Sequence, residues 1–269
     1  MIAWKRHGRV FDFNSMNRGY LQGVLAQVGR LARLAVRAAV ALPTPSFSLR
    51  EAARAARAVG PEALGPIVAI MAAIGSIAAI QGIDVLKHFG AEHLLLVMLP
   101  ETIVRDFAPA MTALMLAAQV GTGFAGELGA MRVGEEVDEL EVLGLDPVAY
   151  LVAPRILALM VLTPLMTLIG AAAAIAGAFG FAVFAYGLAP GNIFSSLARD
   201  ITPASLTEAT LKAVVFGMLV GLLACQNGLA VREGAEGVGN AANRTVVQAI
   251  LAIAGVNAIL TALLLGVRL

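Results

Sequence analysis

The feature that most limits the possible folds is an uninterrupted run without any charged side chain, from Ile156 to Ala198. This run is longer than the roughly 20 apolar residues that an α-helix needs to cross a bilayer. The rest of the chain has a similar character, with 59% hydrophobic residues, 14% charged residues and a mean hydropathy of +0.84. Soluble domains average about 25% charged residues, so this composition excludes a soluble globular fold. The length of 269 residues suits one all-α membrane domain of about five or six spans.

The apolar runs predict where the spans lie. The uncharged run from Ile156 to Ala198 permits one long helix with a tail, or two spans joined near Gly177 to Gly180. A single span there returns Arg232 and Arg244 to the cytoplasm, as the excess of basic residues in cytoplasmic loops requires. We therefore predict five spans, with the C-terminus outside. The four other predicted spans are Leu64 to Ile83, Phe107 to Gly126, Ala213 to Val231 and about Thr245 to Val267.

The N-terminal part is strongly basic. Ten of the nineteen Lys and Arg residues lie in residues 1–60, opposed by two acids, so we expect this part to stay in the cytoplasm. Arg30, Arg33 and Arg37 share a helical face, which is typical of a helix lying in the membrane interface. Pro43 and Pro45 should end it, and a second short basic helix should follow. We predict interfacial helices in residues 1–60 and a transmembrane domain in residues 61–269. A nucleic-acid arm is disfavoured, because the segment leads directly into a span with few aromatic residues.

A polar stretch in residues 127–155 separates two of the spans. Residues 127–146 contain seven acids and a single base, Arg132. Gly144 is placed as a helix C-terminal stop, and Asp146-Pro147 is typical of the start of a new helix. The stretch therefore predicts a short helix of two to three turns.

One face of this short helix should be apolar. Val133, Val137 and Leu140 follow the i, i+4, i+7 spacing, with acids over most of the remaining surface. A narrow apolar stripe among carboxylates suits docking to another protein. A helix that is merely solvated is the alternative explanation of such a charge run.

Three ionisable residues lie at the edges of predicted spans: Arg105, Asp106 and Lys212. A charge at the edge of the hydrocarbon region is costly and is by default a functional hypothesis. Guanidinium and ammonium groups can hold a lipid phosphate. The alternative is that these side chains only extend to the interface.

Other motifs give no sign of enzymatic chemistry. Gly121 to Gly126 matches a dinucleotide fingerprint, but it follows no strand and lies within a span, so close helix packing is expected. The sequence has no phosphate-binding loop of the G-x-x-x-x-G-K-[ST] type, so we expect any ATP and magnesium on another polypeptide. Cys225 is the only cysteine, and His88 and His93 should be solvated. We predict no catalytic residue, no metal site and no cofactor in this chain.

The stretch from Glu127 to Arg155 resembles the MlaE/YrbE-type permease family, the membrane subunits of MCE-linked lipid ABC transporters. The family pattern is roughly E-L-G-x-M-R/K-V-x-E-Q-I-D-A-L followed by G-x-D-P-x-x-Y-L-V-x-P-R. Glu136, Val137 and Glu139 depart from it. Weaker similarity extends from about Ile67 to Gly266. The matching residues are Glu127, Leu128, Gly129, Met131, Arg132, Val133, Glu135, Asp138, Leu140, Gly144, Asp146, Pro147, Tyr150, Leu151, Val152, Pro154 and Arg155.

The resemblance implies roles for two groups of residues. Arg105 and Pro109 match a block that opens the family's second span, and Lys212 matches a lysine that starts its fourth. These positions would line a lipid cavity at the centre of a dimer, although Asp106 and Phe107 depart from the family's residues. The expected lipid-binding residues are Arg105, Asp106, Phe107 and Lys212. The residues expected to couple to the ATPase are Glu127, Arg132, Glu135, Glu136, Val137, Asp138 and Leu140.

The resemblance also implies a function. We expect a homodimeric inner-membrane permease with its N-terminus in the cytoplasm and its C-terminus in the periplasm. It would work with a cytoplasmic ABC ATPase, a periplasmic MCE-domain protein and a small STAS-type subunit. It would move phospholipid or a related envelope lipid to or from the MCE partner, helping to maintain outer-membrane lipid asymmetry. The alternatives are a permease for another hydrophobic solute and an ATPase-independent channel or scaffold.

Overall fold

The computed structural model describes residues 13–42, 48–88, 93–186, 202–232 and 234–266. These residues are helical apart from short turns, and no strand occurs among them. Three turns are π-helical, namely Ile103–Phe107, Ala117–Gly121 and Val148–Val152. The α-helices are α1 (Phe13–Ala41), α2 (Leu49–Lys87), α3 (His93–Thr102), α4 (Ala108–Leu116), α5 (Thr122–Val133), α6 (Glu136–Val142), α7 (Ala153–Tyr186), α8 (Pro203–Leu229) and α9 (Gly234–Gly266).

Among the described residues, five helical segments are long and apolar enough to cross a membrane. The fold is therefore an all-α integral membrane fold, as the apolar runs predict. The prediction of one span after residue 156 is confirmed, since α7 continues unbroken through Gly177 and Gly180 to Tyr186. The rest of that uncharged run, in residues 187–198, lies outside the described residues. The five segments are Leu49–Lys87, Met98–Val133, Val148–Phe184, Pro203–Leu229 and Gly234–Leu264.

Helix α2 differs from its prediction. The second short basic helix and the first span are one continuous helix of 39 residues, with Pro61 and Pro66 inside it. Proline is tolerated within membrane helices, because neighbouring helices and small local adjustments satisfy the freed backbone groups. The prediction of a separate second helix is therefore wrong. The division into an interfacial part and a transmembrane part near residue 60 stays a prediction.

The second span also starts earlier than predicted. Its helical segment begins at Met98 and includes Arg105 and Asp106, which were expected to precede the span at Phe107. The charged residues do not end the helix, because they are paired with residues of other helices, as described below.

Helix α1 has distinct faces. It ends at Ala41, just before Pro43, as predicted. Ala38 and Ala41 are buried where α1 packs on the turn Val148–Val152, α7 and α8, whereas Arg33 and Arg37 are exposed. This arrangement is compatible with the predicted interfacial position, which stays a prediction.

Small residues hold α2 against α7 over most of their length. A Cβ atom on Gly75 would clash with the backbone of Ala174, and one on Gly177 would clash with the backbone of Ala72. Ser76 Oγ donates a hydrogen bond to the carbonyl of Gly177 at 3.0 Å. Close backbone approach through small residues is the usual way in which membrane helices associate.

Two ends of the bundle carry the polar residues. We call them the α3 end, where α2 ends and α8 starts, and the α6 end, where α5, α8 and the turn Val148–Val152 meet α6 and the start of α9.

Candidate functional site

The π-helical turn Ile103–Phe107 places three of the four predicted lipid-binding residues at the α3 end. A π turn inserts an extra residue into a helix and is frequent at functional sites. Here it places Arg105 and Asp106 towards α8, while Phe107 stays 51% exposed.

Lys212 on α8 is completely buried, and its ammonium group has three partners. It donates to Asp106 Oδ1 at 2.5 Å, to Thr261 Oγ1 at 2.9 Å and to the carbonyl of Arg105 at 3.3 Å. Thr261 on α9 also donates to Asp106 Oδ1, at 3.1 Å. Three helical segments are therefore tied together by one buried cation. In the single chain the Lys212 side chain lies in the protein interior, and its predicted place in a lipid cavity at the centre of a dimer stays a prediction.

Arg105 is also nearly buried, with 12% of its side chain exposed. Its Nε lies 2.7 Å from Glu208 Oε2, and its Nη1 lies 3.7 Å from Glu101 Oε1. With Asp106 and Lys212, three carboxylates meet two cations, so the formal charge is −3 + 2 = −1. We call Glu101, Arg105, Asp106, Glu208, Lys212 and Thr261 the α3-end cluster. The sequence analysis did not identify Glu101 or Glu208, although each lies four residues before a predicted site residue, the spacing of helical ion pairs.

An apolar groove of about 210 Å³ lies beside this cluster. Phe107 and Thr102 line it from the second span, and Ile74 and Ala78 line it from α2. The groove suits a hydrocarbon chain better than a polar group, because almost all of its lining is apolar. The other lining residues are Leu86, Met98, Leu99 and Ile103.

At the α6 end the predicted short helix is α6, which is about two turns long and separate from α5. Helix α5 ends at Val133, and Glu135 adopts a left-handed backbone conformation with φ 62° before α6 begins. Val133 and Val137 therefore do not share a helix, and the predicted continuous stripe is wrong. Gly144, with φ 77°, ends this segment as predicted, and Asp146 accepts a hydrogen bond from the backbone N–H of Val148 at 3.0 Å.

The apolar side of α6 faces its own chain. Val137 is only 4% exposed and Leu140 is half-buried, and both pack against a cluster that includes Leu128 and Val148. The apolar residues that remain accessible are Val142, 88% exposed, and Leu143, 73% exposed. The predicted coupling role stays a prediction, but these two side chains, rather than Val137, are available to a partner.

The acidic residues of α6 remain on its surface. Glu135, Glu136 and Asp138 are exposed, and Asp138 forms an ion pair with Arg132. Arg37 of α1 lies 3.3 Å from Asp146, so α1 is linked to the segment that follows α6.

Glu127 is directed away from α6. Its carboxylate lies 2.8 Å from Nη2 of Arg155 on α7, and the Arg155 guanidinium lies 5.7 Å from the ring centre of Phe124. Arg155 also donates to the carbonyl of Leu151 at 2.9 Å. The sequence analysis placed Glu127 among the coupling residues and gave Arg155 no role.

The remaining motifs have structural roles. A Cβ atom on Gly121 would lie 3.2 Å from Val220 Cγ1, so close packing is required there, whereas Gly123 and Gly126 have open space around them. Within the described ranges no group of His, Cys, Asp and Glu could hold a metal ion. Cys225 is buried and free, and Glu92, between the two histidines, lies outside the described residues.

Comparison with known proteins gives consistent matches. The family model "Permease MlaE" matches residues 52–263. The chain is 31% identical over 195 residues to the Probable ABC transporter permease protein slr1045 of Synechocystis, covering 72% of this chain and 74% of that protein. It is 31% identical over 194 residues to the Intermembrane phospholipid transport system permease protein MlaE of Haemophilus influenzae, covering 72% and 74%. It is 30% identical over 194 residues to TRIGALACTOSYLDIACYLGLYCEROL 1, chloroplastic, of Arabidopsis thaliana, covering 72% and 55%.

Proposed function

The chain belongs to the MlaE permease family of ABC transporters, and on that premise we propose that it is the membrane subunit of a phospholipid transporter. The name of the Haemophilus influenzae relative, a phospholipid transport permease, supports this substrate class. The observation that carries the proposal is the combination of five spans with α6, a short acidic helix exposed between two of them. Such a helix offers a contact for a separate ATPase, on which ATP and magnesium would be bound.

The proposed assembly has two copies of this chain, two cytoplasmic ATPase subunits, a periplasmic MCE-domain protein and a small STAS-type subunit. The N-terminus would be cytoplasmic and the C-terminus periplasmic, because the basic residues concentrate before the first span. The α6 end would then face the cytoplasm and the α3 end the periplasm. ATP hydrolysis would shift the dimer between states of different lipid affinity, and lipid transfer to or from the MCE protein would help maintain outer-membrane asymmetry.

At the α3 end we propose that a lipid chain lies in the groove beside Phe107 and that its phosphate reaches Arg105. The pair between Arg105 and Glu101 is long, at 3.7 Å, and the Glu101 side chain is 43% exposed. An exposed carboxylate of this kind can give way to a phosphate, because exposed ion pairs contribute only about 0–1 kcal/mol. Asp106 and Lys212 would act by fixing the position of the turn that carries Arg105, since they are bound to each other.

Co-purification from the native membrane tests the assembly. Leu143→Arg should abolish recovery of the ATPase, because an exposed apolar contact is replaced by a charge. Leu42→Arg is the matched control, since Leu42 is also exposed but lies at the end of α1. Unchanged ATPase recovery with Leu143→Arg would refute docking through α6.

Native mass spectrometry of the purified complex tests the substrate. We expect bound phospholipid in the wild-type complex and less in Arg105→Gln, with ATPase recovery unchanged. A wild-type complex that carries no phospholipid would favour a different hydrophobic solute.

A further inference from the structure

A cavity with both charged and apolar lining residues lies at the α6 end, away from the α3-end cluster. Its volume is about 470 Å³, and it lies between α2, α5 and the start of α7. Helix α2 packs along α7 but hardly contacts α5, which leaves a gap between α2 and α5. The lining residues that matter below are Arg54, Ala58, Phe124, Glu127, Tyr150 and Arg155.

Charges of both signs line this cavity in equal number. Arg155 and Glu127 form one pair at 2.8 Å, and Arg54 and Glu51 form another at 2.6 Å. Two cations and two carboxylates give a formal charge of zero, unlike the net negative α3-end cluster. A ligand that carries one positive and one negative group would keep this balance, whereas an anion alone would leave one carboxylate without a partner.

Each of the two pairs contains one exposed side chain. Glu127 and Arg54 have side chains that are 57% and 64% exposed, and such pairs contribute only about 0–1 kcal/mol. Arg155, in contrast, is 12% exposed and is held by the carbonyl of Leu151 and the ring of Phe124. It therefore stays in position when the Glu127 carboxylate turns to another cation.

The apolar part of the lining indicates a lipid rather than a soluble molecule. Ala55, Ala58 and Val59 form the α2 wall, and Phe124 and Met131 form the α5 wall. These apolar walls can contact the start of a hydrocarbon chain whose head group lies in the cavity.

We propose that this cavity binds the zwitterionic head group of a phospholipid. The phosphate lies between Arg54 and Arg155, as expected for guanidinium groups. The ammonium group contacts the Glu127 carboxylate and the ring of Tyr150, where cation–π attraction adds to the ion pair. This inference rests on the proposed function and adds a second lipid position, at the opposite end of the bundle from the groove beside Phe107.

Photocrosslinking in nanodiscs tests the proposal on the full chain with its ATPase. The probes are phosphatidylethanolamine and phosphatidylglycerol, each with a diazirine close to the glycerol. We expect phosphatidylethanolamine adducts on residues 54–59 and 123–131, and several-fold fewer with phosphatidylglycerol. Arg54→Gln should reduce the adducts by about tenfold, the usual effect of one charge-assisted hydrogen bond. Arg57→Gln is the matched control, because Arg57 is an exposed arginine of α2 that does not line the cavity.

The outcomes separate this proposal from the proposed function. Equal labelling by the two lipids, or unchanged labelling in Arg54→Gln, overturns the head-group site even if the ATPase still co-purifies. Binding of free phosphoethanolamine at millimolar concentration by a wild-type chain that forms no lipid adduct shows a soluble ligand and also overturns it. Loss of phosphatidylethanolamine selectivity in Glu127→Gln supports it, and retained selectivity in that variant overturns it. Failure of the wild-type chain to bind any ATPase counts against the proposed function instead.

Discussion

Both ends of the bundle contain close ion pairs, but the pairs at the two ends differ in how deeply their cations are buried. At the α3 end, Lys212 is fully buried and its charge is neutralised by Asp106 inside the protein. At the α6 end, Arg54 is paired just as closely with Glu51 but is 64% exposed. The distance between nitrogen and oxygen is almost the same in the two pairs, 2.5 Å and 2.6 Å, but the burial of the cation differs. A buried charge that loses its partner is strongly destabilising, while an exposed pair is largely compensated by water.

This difference suggests different tasks for the two ends. The α3-end cluster joins the turn Ile103–Phe107 to α8 and α9, so its ion pairs hold helices together. At the α6 end each pair contains one exposed side chain, Arg54 or Glu127, so a charge of a ligand or a partner can replace that side chain.

The largest effect is expected at Lys212. Lys212→Met leaves Asp106 without its cation and should lower the free energy of unfolding by about 3 kcal/mol, the lower end of the range for a broken buried pair, because the Asp106 side chain is 34% exposed. Thermal unfolding of the purified chain in detergent measures this. Arg57→Met, at an exposed position, should stay within about 0.5 kcal/mol of the wild type.

A double variant separates loss of the charge pair from loss of packing. Lys212→Met with Asp106→Leu should recover most of the lost stability, because replacing a whole buried pair by apolar residues is often neutral. If the double variant is as unstable as the single one, the cluster is held by the shape of Lys212 rather than by its charge.

The second prediction compares a buried valine of α6 with an exposed one. Val137→Asp should destabilise the chain by about 2–4 kcal/mol, because it buries a carboxylate among apolar neighbours at a 4% exposed position. Val142→Asp should leave the unfolding temperature unchanged, since Val142 is 88% exposed. Equal effects of the two substitutions would mean that α6 does not pack on its own chain in the way described.

A smaller effect is expected at Gly144, which ends the segment after α6. Its φ of 77° lies in the left-handed region, where a Cβ atom is unfavourable. Gly144→Ala should therefore cost about 1 kcal/mol. Gly180→Ala is the control, since Gly180 is helical with open space around it and should tolerate a methyl group. A loss of stability at Gly180 but not at Gly144 would contradict the backbone geometry.

Much of the fold could be predicted from the sequence. The uncharged runs located all five spans, because only helices of that length satisfy the backbone in a membrane. The start of the second span was misplaced because Arg105 and Asp106 were judged by charge alone. Their partners Glu208 and Lys212 are about a hundred residues away, and no local pattern shows that pairing.

The candidate site was only partly predictable. Arg105, Asp106 and Lys212 were predicted as site residues because a charge at the edge of a span is often functional. The structure brings all three together. The sequence does not show that Lys212 is buried, or that Thr261, a residue in an apolar run, accepts a hydrogen bond from it. At the α6 end, the spacing of Val133, Val137 and Leu140 predicted one helix because it ignored the break at Gly134 and Glu135.

The smallest effect is expected at Glu127. This prediction tests most directly whether the ion pairs at the α6 end are less buried than those at the α3 end. Glu127→Gln removes the charge that faces Arg155 but leaves that guanidinium with the Leu151 carbonyl and the Phe124 ring. Because the Glu127 side chain is 57% exposed, the change should cost no more than about 1 kcal/mol. Thermal unfolding next to Glu139→Gln, an exposed acid of α6 outside the cavity, measures the difference. A loss as large as that of Lys212→Met would show that the pair between Glu127 and Arg155 is a buried structural link. The carboxylate would then be unable to turn towards a bound ammonium group, and the two ends of the bundle would be alike.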